Sequence, residues 1–145
     1  MKVLIQRVKK ARLYINEIFK GEIGKGLVVF VGIKKNDTED KIDYFVKKIL
    51  SLRIFEDENG KMNYSVVEIK GEIMIVPQFT LYGDCLKGNR PDFTNAEEPK
   101  IARLFFEKFV EKMKKSNIKI VEGKFGAKML VEIVNDGPCT LILEK

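Results

Sequence analysis

Apolar positions recur along this chain with two different spacings, and the alternation between them sets out its elements. Residues 2–8 and 11–15 alternate or run apolar, with Val3, Ile5, Val8, Leu13 and Ile15 carrying the pattern. Such spacing predicts two strands, because successive strand side chains point to opposite faces. Asn16-Glu17 reads as a turn into a further strand over 18–23. After Gly24-Lys25-Gly26 comes the most hydrophobic segment, Leu27-Val28-Val29-Phe30-Val31-Gly32-Ile33. An unbroken run of this kind predicts a strand buried on both faces.

The spacing then changes. Asn36-Asp37-Thr38-Glu39-Asp40 supplies capping residues and first-turn acids, so a helix should follow. Ile42, Phe45, Val46, Ile49 and Leu50 fall at i, i+3, i+4, i+7 and i+8, one amphipathic face, with Lys41, Lys47 and Lys48 on the solvated side. Arg53-Ile54-Phe55 predicts a short strand and Asp57-Glu58-Asn59-Gly60 a turn. The acids of that turn lack the calcium-loop pattern and read as solvated. Glu72 to Val76 predicts another buried strand running into Pro77-Gln78-Phe79-Thr80-Leu81-Tyr82-Gly83.

A polar loop spans Leu86 to Asn95, and its Lys-Gly-Asn-Arg-Pro string is either a solvated loop or a phosphate holder. Pro99 suits the first position of a second helix, whose stripe is Ala102, Phe105, Phe106, Phe109, Val110 and Met113. Ile118 to Val121 predicts a strand and Gly123 to Gly126 a loop, and Lys128 to Val134 and Cys139 to Leu143 predict the last two strands. Between these lies Asn135-Asp136-Gly137-Pro138. Four turn formers between β-branched runs read as a hairpin connection. A second reading is a bend at Gly137-Pro138 that turns backbone carbonyls outward as fixed acceptors for an ammonium group, since glycine tolerates any φ and X-Pro makes a cis bond accessible.

At 145 residues, with no repeat, linker or low-complexity segment, the chain is expected to form one domain over 1–145. Hydrophobic residues at 45% and charged ones at 33% indicate a globular, soluble chain, and no apolar run approaches a membrane span. Met1 to Arg7 lacks a cleavage site, so no signal peptide is expected. Cys85 and Cys139 form no CxxC, which predicts a reduced, cytoplasmic protein. The excess of Lys and Glu leans towards a thermophilic composition. A net charge of +6 favours polyanionic partners such as RNA or a phosphorylated metabolite.

Absences constrain the chemistry further. There is no histidine, so neither a Ser-His-Asp triad nor a histidine acid or base is available. Two isolated cysteines offer no zinc site, and Ser51, Ser65 and Ser116 occupy no nucleophile elbow. Catalysis here would rest on backbone groups, Thr, Tyr, Lys, carboxylates, or groups of the substrate itself. No metal and no cofactor are expected.

Gln78-Phe79-Thr80-Leu81 and Asn135-Asp136-Gly137-Pro138-Cys139-Thr140 now stand out as a pair. With Ile5-Gln6-Arg7-Val8, Leu52-Arg53-Ile54-Phe55-Glu56-Asp57, Lys87-Gly88-Asn89-Arg90-Pro91 and Phe125-Gly126-Ala127-Lys128-Met129, they give the chain an end-to-end resemblance to the D-aminoacyl-tRNA deacylases. The resemblance implies a three-layer α/β/β domain with mostly antiparallel sheets and two amphipathic helices. It also implies a homodimer with active sites at the subunit interface. The implied reaction is hydrolysis of the ester joining a D-amino acid, or glycine, to the terminal adenosine of tRNA. By the same resemblance Gln78, Phe79 and Thr80 are the catalytic floor of the aminoacyl pocket, and Gly137-Pro138 of a partner subunit enters it with a cis peptide bond to take the ammonium. Arg7, with Asn135 and Asp136, supports that segment; Ala102 and Met129 line the pocket; Phe125 lies near the adenosine.

Thr80 carries two readings, a nucleophile or a hydrogen-bonding pocket residue, and the second is preferred because no general base stands ready beside it. The chain departs from the family pattern at Pro77, where Ser is usual, removing a hydroxyl and a backbone N–H. Cys139 stands for Val, Cys85 and Leu86 alter the loop before Lys87, and Lys128 replaces a common Asp, adding positive charge on the presumed RNA side.

Overall fold

A computed structural model describes residues 1–145. Its organising element is β1 (Lys2–Ile15), a single strand where the sequence predicts two. It turns at Asn16 and Glu17, both with positive φ (50° and 68°), into β2 (Ile18–Ile23). This tight reversal matches the twist of the paired strands. The next strand, β3 (Gly26–Gly32), is buried along almost its whole length, as its unbroken apolar run predicts.

α1 (Glu39–Ser51) buries Ile42, Phe45 and Ile49. Thr38 occupies its N-cap without a side-chain capping bond. Asp37, next to it, is spent elsewhere: its buried carboxylate accepts from the Met1 ammonium at 2.7 Å, the Lys34 N–H at 2.7 Å and Lys41 Nζ at 2.8 Å. β4 (Phe55–Glu56) and β5 (Met62–Tyr64) form a small separate hairpin. β6 (Glu72–Pro77) leads into a 3-10 turn, Phe79–Tyr82. α2 (Pro99–Lys114) starts with proline at its first turn, as its sequence predicts, and buries Ala102, Phe106, Phe109, Val110 and Met113. β7 (Ile120–Glu122) and β8 (Met129–Glu144) complete the chain.

β8 corrects the sequence reading. The chain does not reverse at Asn135-Asp136-Gly137-Pro138; one strand runs through it. Its partner is β1, antiparallel from Ile15↔Met129 to Lys2↔Glu144, with Val8 facing Asn135 and Gln6 facing Thr140. Arg7 therefore stands alone opposite the segment 136–139, and the surplus residues bulge out of the ladder. A bulge absorbs extra residues without reversing direction, because hydrogen bonds resume in register on both sides.

On its other edge β1 pairs with β3 through Lys2–Val8 and with β2 through Ala11–Ile15. β3, β6 and β7 follow in parallel, so the main sheet is mixed, with antiparallel pairing in all contacts of β1. Alternation along β3 and β6 sends side chains to two cores. Leu27, Val29, Val31, Ile73 and Ile75 meet Ile42, Phe45, Phe106 and Phe109 from the helices. Val28, Met74 and Val76 meet Val8, Ala11, Leu13 and Ile23, with Val131 and Ile133 against them. The far half of β1, with β2 and the start of β8, thus folds over the sheet as a second β layer, giving the α/β/β order. Gly21 marks the close approach, since a Cβ there would lie 3.3 Å from Val121 on β7. No helix is long and apolar enough to cross a membrane.

Candidate active site

A cleft of about 730 Å3 opens where β6 ends. Parallel pairing carries β6 to Pro77, and the Gln78 N–H extends the ladder by donating to the Val31 carbonyl at 2.8 Å. The chain then coils into the 3-10 turn, which rests on Gly32: a Cβ there would lie 3.1 Å from the Gln78 carbonyl and 3.2 Å from Leu81. Gln78 and Phe79 are thereby set on the cleft floor with Pro77 and Val76. Proline is tolerated as the last residue of the strand, where no further ladder bond needs its N–H. Its ring packs over Gly123, where a Cβ would meet Pro77 Cδ and Met129 Sδ, each at 2.9 Å.

Phe125, Gly126, Ala127 and Met129 close one side, and Phe93, Glu97, Glu98 and Lys35 the other. Phe79 meets Phe93 edge-on, with centroids 5.1 Å apart. Gln78 Nε2 donates to Thr80 Oγ1, so the threonine hydroxyl is paired with an amide, which is not a base. Leu81's N–H is taken by the Gln78 carbonyl at 3.3 Å, whereas Phe79 and Thr80 stand at the start of the turn, where backbone N–H groups have no intrahelical acceptor. The cleft therefore offers aromatic walls, amides and backbone donors, suited to binding and polarising a neutral ester.

The Gly137-Pro138 bond is cis and lies on the bulge of β8. Arg7, 2% exposed, is its anchor. Nε donates to the Asp136 carbonyl at 3.2 Å and also meets that residue's Oδ2 at 3.2 Å; Nη1 donates to the Ile54 carbonyl at 2.7 Å; Nη2 reaches Gly137 O and Glu56 Oε1, each at 3.4 Å. Asn135 completes the frame by donating from Nδ2 to the Arg7 carbonyl at 3.0 Å. Gly137 O faces only one long donor, and a carbonyl has a second lone pair to offer.

Among the sequence-derived candidates, Gln78, Phe79, Phe125 and Met129 share the cleft. Thr80 flanks it on the exposed side of the turn. Arg7, Asn135, Asp136, Gly137 and Pro138 form a second group at the bulge, and none of them lines the cleft of the same chain. Ala102 lies in the helix-side core and lines no wall. Phe93, Glu97 and Lys35 are wall residues that the sequence pattern did not single out. Lys35 and Glu97 arrive through the Lys34–Ala96 bridge, a long-range contact that leaves no local signal.

The sequence profile of the family described as D-Tyr-tRNA(Tyr) deacylase matches residues 4–144. The chain belongs to this family. A D-aminoacyl-tRNA deacylase of Aquifex aeolicus is 54% identical over 144 residues, covering 99% of this chain and 97% of the relative. Another, from Thermosipho melanesiensis, is 51% identical over 145 residues with the same two coverages. A solved structure named c-Myc DNA Unwinding Element Binding Protein superposes with a TM-score of 0.93 at 43% identity, covering 100% of this chain and 99% of that one. A probable eukaryotic D-amino acid tRNA deacylase gives a TM-score of 0.85 at 17% identity, covering 98% of this chain and 97% of that one, a likeness of fold alone. The matched residues, 4–144, include those of the cleft and of the bulge.

Proposed function

We propose that this chain hydrolyses the ester of D-aminoacyl-tRNA, releasing the D-amino acid and a tRNA with a free terminal hydroxyl. The observation that carries the reading is the family match across residues 4–144, joined to a cleft whose floor is Gln78 and Phe79. An aminoacyl ester is already activated, so the enzyme has mainly to orient a water and stabilise the oxyanion. Water attacks the carbonyl carbon, and the ribose oxygen leaves with a proton. The N–H groups of Phe79 and Thr80 are the donors we assign to the oxyanion, an interaction worth about 10²–10³ in rate per donor elsewhere. The neighbouring 2′-hydroxyl of the ribose orients the water, which removes any need for a histidine. Thr80 serves as a hydrogen-bonding residue of the pocket.

A second copy of the chain supplies the ammonium clamp. What supports this is the separation of the two residue groups within one chain, since the Gly137 carbonyl lies outside the cleft it would serve. A further support is the outer face of β8, where Leu130, Val134 and Ile142 are 61%, 53% and 63% exposed. On that face they alternate with Glu132, Thr140 and Glu144, a mixed apolar and polar surface of the kind that suits an interface. Chirality then follows from position: with ammonium and ester both fixed, an L side chain points into backbone, and achiral glycine passes. RNA binding agrees with the net charge of +6.

The deciding test is paired hydrolysis of D-Tyr-tRNA and L-Tyr-tRNA by the purified protein with chelator present. Rapid loss of the D ester with the L ester spared is expected. Intact D ester, together with intact glycyl-tRNA, would remove the proposal.

A further inference from the structure

Two concavities meet at a single residue. Phe125 lines both the cleft and a second hollow of about 460 Å3 beside α2, and no other residue is common to the two. One cation lies over this ring and two flank it in sequence. The Arg103 guanidinium lies 5.9 Å from the ring centroid, and its Nη2 lies 3.9 Å from where a Cβ on Gly126 would be. Lys124 directly precedes Phe125, and Lys128 follows it by three residues. None of the three has a carboxylate partner, whereas Lys108, Lys112 and Lys114 of the same region are paired with Glu39, Asp43 and Glu122. Unneutralised charges of one sign repel one another, so a cluster of them costs stability unless an anion joins it.

The opposite wall carries two carboxylates against the single cation Lys35. Glu97 and Glu98 line it, and the Glu97 carboxylate is held in place by the Asn36 N–H at 3.2 Å and the Glu98 N–H at 2.8 Å. The hollow beside Phe125 also has Glu107, Glu111 and Glu122 in its lining, so the attraction for a polyanion is confined to the unpaired cations next to the ring, while the two carboxylates disfavour its path along the opposite wall. We propose that Arg103, Lys124 and Lys128 form a phosphate-holding rim that grips the RNA backbone just upstream of the terminal adenosine. The inference rests on the deacylase reading and adds to it the direction in which the strand leaves the site. Arg103 is available for a forked contact, because its guanidinium lies over the ring and its N–H groups have no protein acceptor. The two lysines act as point charges on the flanking phosphates.

The test compares two substrates, D-Tyr-tRNA and the phosphate-free ester of D-Tyr with adenosine, across salt concentrations. The variant carries Arg103→Gln, Lys124→Gln and Lys128→Gln, all exposed positions. Each single-strand phosphate contact contributes a slope of about 0.7 in log affinity against log salt, so three contribute about two. Raising salt from about 50 to about 200 mM should therefore cost the wild-type protein about 15-fold more than the variant in kcat/KM on D-Tyr-tRNA, carried by KM. The adenosine ester should show no such salt dependence. Lys87→Gln with Arg90→Gln provides the contrast, since these cations ride a loop closed by reciprocal Asp84–Asp92 backbone bonds of 2.8 and 2.9 Å on the Phe93 side. A triple variant with the wild-type salt dependence overturns the rim, and so does flattening by the loop variant instead. Cleavage of neither ester by the wild-type protein sinks the deacylase reading, and the rim with it.

Discussion

Arg7 is the residue on which the bulge depends, and replacing it with methionine tests that dependence. Methionine matches the length of the stem and removes every donor. The guanidinium is buried and is shared among the carbonyls of Ile54, Asp136 and Gly137 and the carboxylates of Glu56 and Asp136. Only the bond to Ile54, at 2.7 Å, is short; the rest lie between 3.2 and 3.4 Å. Hydrogen bonds to a charged group contribute about 1.5–3 kcal/mol each when well formed, and removing one partner of a buried pair costs about 3–5 kcal/mol. Glu56 is largely exposed and recovers its hydration on losing Arg7, so we assign it little of that total. The expected loss is about 3–4 kcal/mol, mostly from the Ile54 carbonyl and the segment at Asp136 and Gly137.

With an m-value of about 2 kcal/mol per molar urea, that loss moves the unfolding midpoint down by about 1.5–2 M. Activity should fall further than stability requires, because the Gly137 carbonyl loses its anchor while the fold survives at 25 °C. D-Tyr-tRNA hydrolysis, measured where circular dichroism shows the variant folded, should drop in kcat/KM by at least about tenfold. Arg7→Lys should sit between, since one ammonium cannot span acceptors on two segments. A midpoint within about 0.5 M of wild type, combined with unchanged hydrolysis, would refute the argument that Arg7 positions the bulge.

Three further outcomes follow from single sites. Burial alone would raise the Asp37 carboxyl, but bonds from Lys41, the Met1 ammonium and the Lys34 N–H outweigh it and hold the group below the usual carboxylate range. A depressed folded value stabilises above the unfolded pKa of about 3.9 and is lost as pH falls through the folded one, so urea midpoints should decline below about pH 4 and Asp37→Asn should flatten that decline. Burial lowers the pKa of the Met1 ammonium, against the pull of Asp37. Tyr82 buries its hydroxyl without a partner, and burial pushes the phenol up; Tyr82→Phe should therefore match or exceed wild type in thermal stability, by up to about 1 kcal/mol, and a clear loss would reveal an unseen partner. Thr80→Ala should retain most of the D-Tyr-tRNA rate while a 2′-deoxy terminal adenosine does not, and a trapped acyl-enzyme on Thr80 would reverse the assignment.

Local pattern carried much of this architecture. The helices over Glu39–Ser51 and Pro99–Lys114 follow from apolar residues at helical spacing, and β3 follows from its unbroken apolar run. What escaped was pairing at long range. Asn135-Asp136-Gly137-Pro138 has the composition of a hairpin turn, and composition cannot tell a reversal from a bulge. The difference is decided by β1, which offers pairing partners on both sides of the break and a single arginine within it. The same strand explains why two predicted segments are one: Lys9 and Lys10 interrupt the apolar pattern at the register shifts, where β1 passes from one core to the other.

The candidate site shows the same division between local and distant information. Gln78 and Phe79 could be recognised as a string, but their place on a cleft floor depends on β3 lying parallel to β6 and on Gly32 and Gly123 admitting close neighbours. Asp37 reads locally as a capping residue, yet its carboxylate is consumed by the Met1 ammonium from across the fold. Composition excludes histidine chemistry, because an absence from the sequence is visible at any range. On the proposed reading, arranging the groups that would act instead is a property of the sheet: the end of β6 would gather the backbone donors, and the bulge on β8 would fix the carbonyl acceptor. Both are main-chain features, so substituting the side chains on them should alter geometry before it alters any ionisation, and the deacylation profile with pH should be insensitive to the choice of side chain at Thr80.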